Sequence, residues 1–489
     1  MDQAGFRSGF STEDHIFTIV NLIEKTAEYN LPIWIAAIDY EKAFDTVEHD
    51  SLWEALSRAG VGPIYIRTLA ALYAGQTGVV VDELQSRSFN IKRGTKQGDP
   101  LSPSIFNAVL EQAFDEVLPR WHKRKYGFDV GYSSGHERLT NLRFADDVLL
   151  IASSKRQLTR MMHELMEACG RVGLVMHPDK TKILTNCSDC GQLRSDSVVV
   201  NGAKVDILRD GQSTMYLGWA LGMEATQDTE LRNRINKGWA KFMMWKKELC
   251  CKRYSLQSRL KLFNAVIMPS ILYACGTWTM SAYSEMQLRT TQRKMMRSIL
   301  GSGRKRRQEA KPASSSSVHS DKDKSDKCDS DIDTAKEKHT SDGVEPWMEW
   351  IQRVTGIAEH EARKAKVPDW VEEQRRRKWR WAGHLMRRSD GRWSTKILQW
   401  APVTGQRSVG HPARRWADCI DQGEKNPITS KDFFQKPKPQ IRTRTLLHKR
   451  RGFRDDICWH TKISLPYFGG VRRENTRPDK LVFVAPRWS

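Results

Sequence analysis

The chain has 489 residues, a 39% apolar share, a formal net charge of +22 and a pI of about 9.6. At roughly 150 residues per domain that length makes about three domains, and such a charge calls for a polyanionic partner, nucleic acid first and a membrane surface second. No run reaches the ~20 apolar residues that cross a bilayer, residues 1–30 lack a signal-peptide pattern, and nine irregularly spaced cysteines fit a reducing compartment rather than a disulfide scaffold.

In chain order, residues 1–30 open with the Gly-rich Gln3-Ala-Gly-Phe-Arg7. Ser11-Thr-Glu-Asp14 then signals a helix start ahead of Ile16, Ile19, Val20 and Ile23 at helical spacing. A chain that opens directly in such a motif is expected to have lost an upstream segment. Ile33-Trp-Ile-Ala-Ala-Ile38 is the continuous apolar run of a buried strand, with Asp39 at its carboxyl end. A helical pattern follows through Phe44, Val47, Leu52 and Leu56. Asp39 is then either a helix cap or one member of a site beyond the strand end.

Residues 91–115 carry Lys92-Arg-Gly-Thr-Lys96-Gln97-Gly98-Asp-Pro100, then Ile105, Phe106, Val109 and Leu110 at helical spacing. Gly94 and Gly98 permit close backbone approach, Pro100 suits a first helical turn, and Lys92, Arg93 and Lys96 add charge where a phosphate would bind. An ordinary Gly-Pro loop capped by Asp99 explains the same residues equally well.

Residues 142–152, Leu-Arg-Phe-Ala-Asp146-Asp147-Val-Leu-Leu-Ile-Ala, place two adjacent carboxylates between β-forming apolar runs. That pattern predicts a hairpin with its acids at the turn. Neighbouring carboxylates repel unless a cation neutralises them or one is protonated, and hard cations such as Mg²⁺ take oxygen ligands. A bare Asp-Asp pair is otherwise an exposed turn. An amphipathic helix follows (Leu158, Met161, Met162, Leu165, Met166), then Pro178-Asp-Lys180-Thr-Lys182 and the strand-like Met215-Tyr-Leu-Gly218. From 231 to about 300 the pattern is helical, with Met and aromatic stripes read as core.

Residues 302–345 hold almost no large apolar side chains and are expected to be disordered, with Arg304-Lys-Arg-Arg307 as a nuclear-localisation candidate. Residues 346–422 are dense in Trp and Arg. Arg376, Arg377, Trp379, Trp381, Arg414, Arg415 and Trp416 make a candidate nucleic-acid grip, because arginine binds phosphate and indole stacks on bases. A small helical core with a solvated arginine face accounts for them as well. Cys187 and Cys190 form a CxxC without a second ligand pair. No fold is assigned to residues 423–489, a basic tail.

Together the blocks resemble the reverse transcriptases of non-LTR (LINE-type) retrotransposons. The motifs stand in that family's order: Gln3-Ala-Gly-Phe-Arg7, Ile38-Asp39-Tyr-Glu-Lys-Ala-Phe44-Asp45, Gly94-Thr-Lys-Gln97-Gly98-Asp-Pro-Leu-Ser-Pro103, Phe144-Ala-Asp146-Asp147, Pro178-Asp-Lys180-Thr181 and Tyr216-Leu-Gly218. Trp381-Ala-Gly-His384 and Gly410-His-Pro-Ala-Arg-Arg-Trp416 resemble its C-terminal hallmarks.

The resemblance implies an α+β, right-hand polymerase: partial fingers (1–30), a palm of antiparallel sheet and packed helices (31–222), a helical thumb (223–301), a linker (302–345) and a small C-terminal helical region (346–422). It implies an RNA-directed DNA polymerase that extends a DNA primer on an RNA template with deoxynucleoside triphosphates. Asp39 and Asp146, supported by Asp147, would hold two Mg²⁺ ions (Mn²⁺ as the substitute) ~3.5–4 Å apart. Adjacent strand residues face opposite sides, so one of the pair, taken as Asp146, is expected on the side of Asp39. Phe44 would exclude a ribose 2′-hydroxyl, Gln97, Gly98 and Arg7 would contact the nucleotide, and Lys180, with Lys182 as rival, would protonate pyrophosphate. The nucleus is the expected compartment, with the cytoplasm second; no membrane partner is expected, and the oligomeric state is left open. The resemblance would bring an upstream endonuclease and an earlier fingers block, which are expected to be missing here. Two alternatives therefore stand: a truncated or co-opted copy that only binds RNA or DNA, and RNA-directed RNA synthesis, against which the bulk of Phe44 argues.

Overall fold

The computed structural model describes residues 2–80, 86–131, 137–187, 197–224, 226–305, 344–402 and 414–421. The expectations for 306–343 and 423–489, for Cys190, and for Gly410 to Ala413 lie outside the described residues.

Helix α1 (Thr12–Glu28) starts where its signal stands, with Ser11 as N-cap and a capping box to Asp14. Strand β1 (Trp34–Ile38) is buried at every position, as an unbroken apolar run requires. The single helix expected through Leu56 is instead two, α2 (Ala43–Thr46) and α3 (His49–Arg58). The break has a cause in backbone hydrogen bonding. Phe44 O accepts from Thr95 N at 2.7 Å and Val47 O from Gly94 N at 2.8 Å, so these carbonyls serve the 93–95 loop rather than a continuing helix.

Helix α4 (Pro63–Tyr73) and the short hairpin β2 (Thr77–Gly78) with β3 (Phe89–Asn90) follow. Helix α5 spans Ser102–Lys123 with Pro103, not Pro100, in its first turn. Asp99 caps the preceding turn by accepting from Leu101 N at 2.9 Å. After the two-residue strands β4 (Phe128–Asp129) and β5 (Arg138–Leu139) come β6 (Asn141–Phe144), β7 (Asp147–Ala152) and α6 (Lys155–Arg171). Strands β8 (Lys182–Thr185), β9 (Ser197–Val200) and β10 (Ala203–Ile207) complete the main sheet, and β11 (Thr214–Tyr216) pairs with β12 (Trp219–Leu221).

The main sheet has six strands in the order β6-β7-β1-β8-β10-β9, antiparallel except at β8–β10. Its two faces separate by strand alternation. Trp34, Ala36 and Ile38 join Val148, Leu150 and Ala152 in a core with α3, α5 and α6, whereas Ile35, Ala37, Leu149 and Ile151 face a core built with α1 and the later helices. The fold is therefore α+β, a largely antiparallel sheet covered on both faces.

Downstream lie α7 (Thr226–Met244), α8 (Lys246–Leu249), α9 (Leu256–Val266), α10 (Met268–Ile271), a 3-10 turn at Cys275–Thr277 and α11 (Ala282–Leu300). Then come α12 (Trp347–Lys364), α13 (Trp370–Arg387), α14 (Trp393–Gln399) and α15 (Asp418–Asp421). The ends of the segment expected to be disordered are in fact fixed. Arg304 Nε donates to Glu345 O at 2.7 Å, Lys305 N to Glu345 Oε2 at 3.0 Å, and Arg353 pairs with the same carboxylate at 2.7 Å. The last helices fold back on the first: Lys25 Nζ donates to Ile397 O at 2.7 Å, to Leu398 O at 3.0 Å and also to Trp400 O.

Candidate active site

The acidic pair lies where the hairpin was expected. Phe144 pairs with Asp147, and Ala145 and Asp146 make the turn between β6 and β7. Ala145 has φ 56°, a left-handed conformation that costs a residue with a Cβ and normally belongs to glycine. Residues 2–5 hold it there. Gln3, buried, accepts at Oε1 from Ala145 N at 3.0 Å and from Gly5 N at 2.8 Å. Arg143 N donates to Asp2 O at 2.7 Å and Ala4 N to Arg143 O at 2.8 Å. A Cβ on Gly5 would stand 2.3 Å from Ala145 N, so only glycine fits there. Gln3 and Gly5 are site-forming residues that sequence reasoning passed over in favour of Arg7. The signal was present as a glycine and an amide side chain in one short motif.

Asp39 arrives from the neighbouring strand. Ile38 pairs with Val148, so one further step along the register sets Asp39 opposite Asp147. It is not a helix cap; α2 is preceded by Lys42 in the N-cap position. Its backbone is held by the 177–181 segment, since Asp39 N donates to Thr181 Oγ1 at 3.2 Å and Asp39 O accepts from His177 N at 2.8 Å. That same segment delivers Lys180, whose Nζ is 3.7 Å from Asp39 Oδ1. The rival Lys182 is occupied on β8, 2.8 Å from Asp206.

The two turn acids are shifted by their surroundings. Burial raises the pKa of Asp146, and the charge of Asp39 adds to it. Asp147 is raised to about 6 by burial first, then by Asp146 and Asp39. Asp147 keeps considerable exposed surface, so the burial responsible is that of a cleft with limited water rather than a sealed interior. The charge of Asp39 contributes to both shifts, and the left-handed Ala145 makes a sharp bend that places Asp146 in the turn rather than on a strand. Neutral groups back the cleft. Tyr216 feels Asp147 and Tyr40 feels Asp146, and burial pushes both phenols well above their usual range. Tyr216 meets His15 Nδ1 at 3.3 Å, and burial lowers that imidazole to about 4.

Among the described residues, no three His, Cys, Asp or Glu side chains are already gathered as a metal-binding group. Asp39 is beside Lys180 instead. The donor set still fits a hard divalent cation: all donors are carboxylate oxygens, and a cation would relieve both the burial and the neighbouring negative charge that raise Asp146 and Asp147.

The residues expected at the nucleotide come from α2, from the loop at 94–98 and from the segment ahead of α1. Phe44, half-buried, stacks on Phe106 with ring centroids 4.4 Å apart. Gln97 and Gly98 are exposed, and Gly98 (φ 88°) has open space where a Cβ would project. Gly94 packs tightly, its absent Cβ position 2.8 Å from Asp45 O. Of the cations there, Arg93 pairs with Glu48 at 2.9 Å and Lys96 donates to Leu72 O at 2.7 Å. Arg7 is exposed, donates to Gln3 O at 3.2 Å and lies 5.1 Å over the Phe10 ring.

The candidate nucleic-acid grip is partly corrected. Trp381 and Trp416 are 4% and 2% exposed and pack on Phe17 with centroids 5.9 and 4.7 Å apart, so neither offers a face to a base. Trp379 is half-buried against the same cluster. Arg377 bonds Glu373 at 2.8 Å and Leu272 O at 3.2 Å, and Arg414 donates to Met280 O at 2.7 Å. Arg415 pairs with Asp418 at 3.0 Å, and Arg376, which is exposed, pairs with Glu373.

Residues 1–221 match the family described as reverse transcriptase (RNA-dependent DNA polymerase). A putative uncharacterized transposon-derived protein of Caenorhabditis elegans is 27% identical over 60% of this chain and 87% of its own length. Pol polyproteins of R2 retrotransposable elements are also similar. The Drosophila melanogaster type-2 protein is 28% identical over 41% of this chain and 19% of that protein. The Popillia japonica type-1 protein is 27% identical over 51% of this chain and 33% of that one. The chain thus spans a fifth to a third of these R2 relatives. A solved telomerase of Candida tropicalis in complex with a fragment of telomeric RNA is a distant likeness, with TM-score 0.29 and 15% identity over 60% of this chain and 51% of that one.

Proposed function

We propose that this chain, whose residues 1–221 match the reverse transcriptase family and which is similar to Pol proteins of non-LTR retrotransposons, extends a DNA primer on an RNA template from deoxynucleoside triphosphates. The observation that carries the reading is the strand register that sets Asp39, one step past the Ile38–Val148 pair, opposite Asp147 at the β6–β7 turn. Asp39, Asp146 and Asp147 would hold the divalent cations, Mg²⁺ in the first instance. Bound there, such ions supply activation of the primer 3′-hydroxyl and neutralisation of charge on the triphosphate.

The chain's own groups do the rest. Lys180 Nζ, at the cleft edge 3.7 Å from Asp39, is the proton donor for the departing pyrophosphate. The Phe44 ring, braced on Phe106, occupies the space a ribose 2′-hydroxyl would need. Gln97 and Gly98, exposed on a loop tied to Phe44 through Thr95, would lie along the incoming nucleotide, and the exposed Arg7 would contact it as well. A net charge of +22 supports a nucleic-acid partner, and the target DNA of such an element sets the compartment as the nucleus.

The test is extension of a labelled DNA primer on an RNA template with Mg²⁺. Product is expected from the parent chain, none from Asp146→Ala, and ribonucleotide incorporation should rise in Phe44→Ala. Product undiminished in Asp146→Ala would overturn the reading. Tight binding without any product would leave a nucleic-acid-binding protein.

A further inference from the structure

The Arg- and Trp-rich stretch at 387–400 turns inward, and where it lands is informative. Trp393 Nε1 donates to Asp2 Oδ1 at 2.7 Å. Arg392 Nη1 donates to Gly9 O at 2.6 Å and reaches Asp14 Oδ2 at 3.3 Å, while its guanidinium lies 3.7 Å over the Phe10 ring. Ser394 Oγ donates to Asp14 Oδ1 at 3.2 Å, and Arg388 pairs with the same carboxylate. Asp14 is 3% exposed, so a buried charge is satisfied chiefly from the far end of the chain.

These anchors at residues 2, 9, 10 and 14 bracket Gln3 and Gly5, the residues that hold the acidic turn. The shortest path has one intermediate. Asp2 takes the Trp393 indole N–H on its carboxylate, accepts Arg143 N on its carbonyl at 2.7 Å, and has its carboxylate 3.8 Å from Arg143 Nη2. Ala145 is two residues further on. Residues 2–11 form no helix and add only a single bridge to Arg143, so local structure alone does not fix them. A segment of that kind keeps one conformation when outside contacts offset its lost freedom, and a left-handed alanine persists only where its surroundings over-determine it.

We infer that residues 388–394 are a clasp that positions the Asp146-Asp147 turn through Asp2–Gly5, so that the C-terminal helices set the geometry of the palm acids. Arg388, Arg392 and Trp393 are positioning residues for the polymerase reaction proposed above, on which this inference rests.

The experiment compares Trp393→Phe, Arg392→Ala and Arg392→Lys with the parent chain. Trp393→Phe keeps an aromatic ring and removes the N–H, so it tests the link without emptying the site. Amide hydrogen exchange is expected to quicken at residues 3–5 and 145–147 and to stay unchanged in β8 and β10. The kcat for primer extension should fall about tenfold with KM for primer–template unchanged, and Arg392→Lys should recover part of the loss seen in Arg392→Ala. If Arg392→Ala does not fold, Trp393→Phe carries both readouts. Exchange at 3–5 and 145–147 equal to that of the parent in a folded Trp393→Phe, or a fall in thermal stability with kcat intact, would overturn the clasp. A parent chain without Asp146-dependent synthesis would instead sink the polymerase reading, and the exchange data would then decide the clasp alone.

Discussion

Asp147→Asn should remove synthesis and, at neutral pH, make the folded chain more stable. Burial, Asp146 and Asp39 hold the Asp147 carboxyl at about 6 against an ordinary 3.8. The folded state therefore binds this proton more tightly than the unfolded state. Below about pH 4 both states are protonated and the group contributes nothing. Between about 4 and 6 the unfolded state ionises first, so stability falls as pH rises; above 6 the full cost is present. At 1.36 kcal/mol per unit the shift corresponds to about 3 kcal/mol. Because the carboxyl retains exposed surface, screening by water brings the expectation to on the order of 1 kcal/mol. That amounts to a rise in melting temperature of roughly 2–4 °C or less for a chain of this size. Urea unfolding of parent and variant from pH 4 to 8, without divalent ions, measures it. The gap in free energy should open from near zero at pH 4 to its full value by pH 7.5, and Mg²⁺ should close it by stabilising the parent. A gap independent of pH, or a variant less stable at pH 7.5, refutes the electrostatic account of the cleft.

Two further changes probe the surroundings. Trp416→Ala should cost about 3–5 kcal/mol in an unfolding titration, as expected for a large aromatic removed from a packed core, whereas a stacking platform would lose RNA affinity at constant stability. Gly5→Ala brings a Cβ to 2.3 Å from Ala145 N; it should lower primer extension at least about tenfold and lower the thermal midpoint, because buried backbone must shift, while circular dichroism stays near that of the parent.

The parts of this fold that could be read from the sequence are those set by short-range rules. The β6–β7 hairpin, the buried β1 and the capped start of α1 each follow from alternation, an apolar run or a capping box within a dozen residues. Asp39 was legible as a strand-end acid, but its backbone lock to Thr181 and His177, and hence the arrival of Lys180, depends on pairing across more than a hundred residues. The break between α2 and α3 was hidden for the same reason: carbonyls of Phe44 and Val47 are claimed by a loop some fifty residues away. Local periodicity carries no record of such competition.

The Trp- and Arg-rich region misleads for a different physical reason. Between α10 and α11 the backbone from 272 to 280 is irregular and largely buried, so its carbonyls need donors that no helix provides. The C-terminal helices and the residues after them supply them. Arg377 bonds Leu272 O at 3.2 Å, Gln374 bonds Cys275 O at 3.1 Å and Trp416 Nε1 bonds Gly276 O at 2.8 Å. Lys378 Nζ bonds Trp278 O at 2.8 Å and Arg414 bonds Met280 O at 2.7 Å. Burial lowers the Lys378 ammonium to about 8, the mark of a cation placed for structure at the expense of hydration. Long donors with an apolar stem suit this task, because they cross a packed interface and still reach a carbonyl. The same composition that suggests a grip on phosphate is thus, for these residues, the means by which an irregular buried segment keeps its hydrogen bonds. The basic side chains left for a polyanion are exposed ones that do not end on the chain's own backbone; Arg376 is among these, with its charge shared with Glu373.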